Sequence, residues 1–283
     1  MKIPKYWAKA TQTSDKADGK EVSFTCWQWS DESVEDARRK ASTRASAIVS
    51  KLANDIPLDR YGYADRPLRE ETLETLTNGA GDLIGVVTRN SYGAQILNAT
   101  KAMFIDIDFP RSTGGGGSLL GRFFGKKAPT PEEEAVQRVT AWHATRTEFS
   151  MRVYRTAGGL RCLITSHLFD PKSAEALNIL QALQSDPLYV RLCKAQECYR
   201  ARLTPKPWRV GLAPAPARGN PPDEWSSEQR YREWIAHYQQ AAQGYTTCRL
   251  LTQLGSSAIH SEVRPILNLH DRLACGASQL PLA

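Results

Sequence analysis

Asp106 and Asp108 stand one residue apart at the end of an apolar run, Ala102-Met103-Phe104-Ile105, and Pro110 closes the segment. Such a run reads as a strand, and side chains alternate across a strand. Both carboxylates then point to one side, with Ile105 and Ile107 on the other. Two carboxylates side by side repel unless a cation lies between them; otherwise one keeps its proton. A hard divalent ion, Mg²⁺ or Mn²⁺, satisfies both and leaves coordination positions for phosphate oxygens. The alternative is a strand end bearing two solvated acids.

About fifty residues later comes the stretch Val153-Tyr-Arg-Thr-Ala-Gly-Gly-Leu-Arg161. It reads as a hairpin around Gly158 and Gly159, with Thr156 before the turn and Arg161 after it. Glycines let a backbone approach a ligand and leave amides free for phosphate. A guanidinium from the following strand can clamp phosphate oxygens two at a time. A hairpin whose turn simply requires glycine explains the same residues. A third feature is basic. Arg191, Lys194, Arg200, Arg202, Lys206 and Arg209 interleave with Tyr189, Tyr199 and Trp208. Lys126 and Lys127 end the separate stretch GRFFGKK. Cations track a phosphate backbone and aromatic faces stack on bases; a solvated basic helix with aromatic core contacts would look the same.

Together these motifs resemble the archaeo-eukaryotic primase superfamily, in particular its primase-polymerase domains. The stretch LIGVVTRNSYGAQILNATKAMFIDIDF is similar to the family's acid-bearing strand and the segment before it, and YRTAGGLR is similar to its Gly-Gly strand. The resemblance covers about residues 82–166 and extends toward 215. It implies an RRM-like palm and metal-dependent nucleotidyl transfer on DNA or RNA. Asp106 and Asp108 would be the metal-binding and catalytic pair. Thr156, Gly158, Gly159 and Arg161 would hold a nucleoside triphosphate, Arg161 standing where the family has histidine. Lys126, Lys127, Arg200, Arg202, Lys206 and Arg209 would guide nucleic acid. Glu197 falls about where a third carboxylate ligand is expected, and Asp170 is the other choice, read as a helix cap. A member of the same fold that binds nucleotide or nucleic acid without turnover is the alternative.

Other chemistries fit less well. The lysines after Gly125 lack both the earlier glycine and the following Ser or Thr of a phosphate loop, because Ala128 follows them. An Asp-nucleophile phosphatase would need Thr or Val where Pro110 stands. His167, His260 and His270 are open as ligands, bases or plain structural residues. The six cysteines form no CxxC pair, no histidine sits at zinc spacing near Cys193 and Cys198, and all six read as reduced core thiols.

The elements that must position these residues follow from patterning. Two N-terminal strands precede a helix capped at Ser30 or Asp31, with Ala37, Ala41, Ala45, Ile48 and Leu52 inward. Residues 60–76 read as a loop and a short helix, and DLIGVVTRN as a strand. Residues 111–131, glycine-rich, read as a mobile loop before a helix that starts at Pro131. C-terminal helices fill 224–275. The expected class is α+β with a mainly antiparallel sheet and an RRM-like palm core over about 82–215, in one domain spanning 1–283. A net charge of +7 suits a polyanionic partner. No apolar run is long enough to span a bilayer and the N-terminus has no signal-peptide core, so a cytoplasmic protein without membrane contact is expected.

Overall fold

The computed structural model describes residues 1–58, 67–110, 129–216, 220–277 and 279–283. Lys126, Lys127 and most of the expected mobile loop lie outside these residues.

The chain starts with an antiparallel hairpin, β1 (Tyr6–Asp15) and β2 (Glu21–Ser30), covered by α1 (Val34–Ala53). The cap of α1 is Ser33, whose hydroxyl accepts the Asp36 amide hydrogen, rather than Ser30 or Asp31. Ser30 instead donates to Asp36 at 2.6 Å. Ala37, Ala41, Ala45 and Val49 face the hairpin, and small side chains let the helix lie close to it.

Two four-stranded sheets follow. One has the order β3-β4-β5-β9, from β3 (Glu71–Thr77), β4 (Leu83–Arg89), β5 (Gln95–Ala99) and β9 (Tyr199–Arg202). The other has the order β10-β7-β8-β6, from β6 (Phe104–Asp108), β7 (Met151–Thr156), β8 (Gly159–Ile164) and β10 (Cys248–Leu254). All named strand pairs are antiparallel. Five further α-helices lie among the described residues: α2 (Pro131–Ala144), α3 (Ala174–Ala182), α4 (Pro187–Gln196), α5 (Gln229–Ala242) and α6 (Val263–Ala274). The α+β, mainly antiparallel class is therefore as expected. An RRM-like order is not part of what the sheets show, because the acid-bearing β6 is an edge strand with β8 as its strand partner.

Two elements differ from the sequence reading. Residues 71–77, expected as helix, form β3, because pairing with β4 from Glu71↔Arg89 to Thr77↔Leu83 outweighs the helical spacing of Glu and Leu. Between the C-terminal helices lies β10, which pairs with β7 and was not anticipated.

The main core joins both sheets. Helix α6 packs against each: its His270 ring lies 5.2 Å from that of Phe104 and 4.8 Å from that of Tyr154, while Ile266 presses on Gly85 of β4. The free edge of β6 is covered by the loop into α4. Asp186 N and Ser185 Oγ both donate to the Asp106 carbonyl at 2.8 Å, and Tyr189 Oη donates to the Phe104 carbonyl at 2.8 Å. A sheet edge left open would expose unpaired backbone groups, and these bonds remove that liability.

Candidate nucleotide and cation cleft

Asp106 pairs with Arg161 across β6 and β8, and Arg161 with Tyr154 across β8 and β7. Opposed residues share a face, so an acid, a guanidinium and a phenol form one row. At its acid end the row opens into a cleft of about 660 Å³ between the two sheets. Asp106, Asp108, Thr156, Gly158, Arg161, Arg200, Arg202, Lys206 and Arg209 all line it. The structure thus brings together most of the residues singled out by the sequence.

A third carboxylate is present, but it is Asp186 and not Glu197. The two cap opposite ends of α4, a ten-residue helix and so about 15 Å long. Asp186, at the N-cap, is brought to the cleft by the hydrogen bond that its backbone N–H donates to the Asp106 carbonyl. Glu197, at the C-cap, faces away and pairs with Lys2 and Lys172, each at 3.1 Å. The Asp-Pro pair at 186–187 is a helix-start signal that could have identified the acid's position. Asp170, read as a cap, is not one: Ser173 caps α3, and Asp170 accepts the Lys172 amide hydrogen in the turn before the helix.

The acids crowd one another. Asp108 is held above the usual carboxylate range, first by burial and then by the charges of Asp106 and Asp186, against the pull of Lys206 and Arg202. The cations crowd as well. Burial, then Arg202 and Arg209, push Lys206 down to about 8. Burial and Arg161 lower Arg202 to about 10. Among the described residues, no ion pair within 4.0 Å joins Asp106, Asp108 or Asp186 to Arg161, Arg202, Lys206 or Arg209. Two sets of opposite charge therefore line one cavity without closing on each other.

Asp106, Asp108 and Asp186 offer oxygen donors of the kind a hard divalent ion takes, from two elements. The acids are not preassembled. The one group of three described residues whose ligand atoms all lie within 4.8 Å is Cys248, His270 and Cys275.

Other expected contacts resolve differently. Arg200 lines the cleft, yet its guanidinium bonds to Glu70 Oε1 at 2.7 Å and to Asn98 Oδ1 at 2.6 Å. It braces β9 against β5. Gly159 is needed by the sheet: a Cβ there would sit 1.9 Å from the Ile107 carbonyl oxygen. Gly158 alone of the pair lines the cleft. Tyr189 and Tyr199 are buried, which leaves Trp208, 48% exposed and edge-on to Tyr92, as the aromatic surface at the mouth.

No protein-family model matches the chain significantly, and neither curated proteins nor solved structures give a significant match. No helix among the described residues is long and apolar enough to cross a membrane.

Proposed function

We propose that the cleft binds a nucleoside triphosphate together with Mg²⁺ or Mn²⁺, and that the protein transfers nucleotides onto nucleic acid in the manner of a primase-polymerase. The observation that carries this reading is the unpaired meeting of Asp106, Asp108 and Asp186 with Arg161, Arg202, Lys206 and Arg209. A metal–triphosphate complex carries both signs of charge and would engage both walls.

Asp106 and Asp108 would hold the metal, with Asp186 as the third acid. When bound, the metal would polarise the α-phosphate and favour ionisation of the attacking hydroxyl. Arg161, Arg202, Lys206 and Arg209 neutralise the phosphate oxygens and stabilise charge that builds up during in-line displacement. The exposed face of Trp208 offers a base a stacking surface, and Lys206, 5.5 Å from the centre of that ring, meets the adjoining phosphate.

A second reading keeps the ligand and drops the turnover. Asp186 already accepts the amide hydrogens of Leu188 at 3.3 Å and Tyr189 at 3.0 Å. A carboxylate occupied with a helix cap is a poorer metal ligand, which favours a nucleotide-binding module. Incorporation of α-labelled nucleotide on a primed template with Mn²⁺ separates the two, alongside nucleotide-induced thermal stabilisation. The enzyme reading expects incorporation that falls at least a hundredfold in Asp106→Asn while stabilisation survives. Stabilisation of the wild type without incorporation transfers the conclusion to the binding module. Neither signal removes both.

A further inference from the structure

Behind the cleft floor, β10 and α6 bring together three side chains far apart in the chain. Cys248 Sγ lies 3.6 Å from Cys275 Sγ and 3.7 Å from His270 Nε2. Cys248 and His270 are fully buried and Cys275 is half-buried.

These spacings have a specific meaning. A tetrahedral ion with thiolates at ~2.3 Å and an imidazole at ~2.05 Å sets its sulfurs ~3.8 Å apart and each sulfur ~3.6 Å from the nitrogen. The two separations from Cys248 differ from those by about 0.1 to 0.2 Å, and the ligand atoms of Cys275 and His270 lie within 4.8 Å of each other. The imidazole is also oriented as a ligand. Its Nδ1 lies 2.9 Å from Asp271 Oδ1, which also accepts from Tyr154 Oη at 2.8 Å. A carboxylate on one ring nitrogen favours the proton there and leaves the lone pair of Nε2 available within reach of Cys248, the usual support for a metal-bound histidine. Arg152 pairs with the second oxygen of Asp271 at 2.5 Å, so the support is itself held.

We propose that Cys248, His270 and Cys275 form a binding site for one thiophilic cation of the Zn²⁺ class, with Asp271 positioning the imidazole and the fourth coordination place open on the Cys275 side. Loading forms two metal–sulfur bonds and one metal–nitrogen bond. It releases to solvent whatever thiol protons the pair carries, so the thiols are neither oxidised nor reduced. The site is chemically distinct from the acid cleft: soft donors select a different metal from the one Asp106 and Asp108 would take. It does not depend on the function proposed above. The two places touch through one residue. Arg161 Nη1 lies 3.3 Å from His270 Nε2 and donates to the Arg202 carbonyl at 2.8 Å. A bound cation takes over that imidazole lone pair and leaves Arg161 with one fewer acceptor on the side away from the cleft.

The test is titration of the reduced full-length chain with Co²⁺ under a non-chelating reductant, followed by Zn²⁺. The expected result is one Co²⁺ per chain, with thiolate-to-cobalt charge-transfer and strong tetrahedral visible bands. Zn²⁺ should bleach both. Cys275→Ser should lose the bands, and Cys26→Ser, in the distant hairpin, should keep them. Absence of a thiolate-to-cobalt charge-transfer band, or tetrahedral bands that survive in Cys275→Ser, overturns the site. If Cys275→Ser does not fold, alkylation of the native wild type decides. Equimolar Zn²⁺ should protect the half-buried Cys275, and unchanged labelling of Cys275 counts against the site.

Discussion

Replacing Lys206 by methionine should stabilise the protein at neutral pH and weaken its grip on polyphosphate. The ammonium sits among Arg202 and Arg209 in a partly buried place, and its pKa falls from 10.5 to about 8. Each pH unit of such depression corresponds to about 1.4 kcal/mol, so the full interval sets a ceiling of about 3 kcal/mol. The group is partly solvated, and screening reduces the realised cost to about 1–2 kcal/mol. Methionine keeps an unbranched apolar side chain and removes the charge, whose Nζ lies 5.5 Å from the centre of the Trp208 ring. For a chain of this size, the melting temperature at pH 7 should rise by about 2–6 °C. The sign of the pH dependence is fixed. Between about 8 and 10.5 the unfolded lysine holds a proton that the folded one has lost, so wild-type stability climbs with pH across that window. Lys206→Met lacks this climb, and its advantage should vanish near pH 10. Inorganic tripolyphosphate should stabilise the wild type at pH 7 and the variant less. Destabilisation of Lys206→Met at pH 7, or a gap that does not close with rising pH, would refute the crowded-cation account of the cleft.

Two structural predictions follow from the walls of the cleft. Arg200→Met should cost about 3–5 kcal/mol in urea unfolding, because it strands the buried Glu70 carboxylate, and Glu70→Gln in the same chain should recover part of the loss; equal stability of single and double variants would mean that the ion pair is not the brace. Gly159→Ala forces a methyl into the Ile107 carbonyl and should cost about 3 kcal/mol or more; a change within 0.5 kcal/mol would mean that β6 and β8 separate freely.

How much of this was legible depends on the range of the interactions. The acid pair was readable because strand alternation is local: Asp106 and Asp108 must share a side wherever the strand lies. The cations at 202, 206 and 209 were readable because they sit within eight residues of one another on a strand and the turn after it. The third acid was not, since it depends on which backbone amide meets the open edge of β6, a contact spanning 80 positions. The same holds for β3, whose Glu-Leu spacing suits a helix until β4 offers a ladder. It holds too for Cys248 and His270, which come together only once β10 has joined β7 and α6 has crossed both sheets. The cysteines were read as inert because spacing was sought near Cys193 and Cys198, and the partners lie in elements that spacing does not connect. Gly159 was open as a ligand contact or as a glycine the hairpin needs; its close approach to the Ile107 carbonyl meets the second demand, and the sequence does not separate the two.

The row Asp106–Arg161–Tyr154 explains why the cleft keeps its two signs apart. Arg161 faces Asp106 across a strand pair and could in principle close on it. It is held back by two acceptors on its far side, the Arg202 carbonyl and the His270 imidazole. His270 is in turn held by Asp271, and Asp271 by Tyr154 and Arg152. This chain of bonds gives the guanidinium acceptors on the side away from Asp106, and no ion pair within 4.0 Å joins the two. Desolvated charges kept unpaired cost stability, as the lowered Lys206 and the raised Asp108 each show. A ligand that carries a cation and an anion together relieves both walls at once. A lone metal ion or a lone phosphate relieves one and leaves the other as it was. On the function proposed above, the arrangement would favour the metal–polyphosphate pair over either component alone.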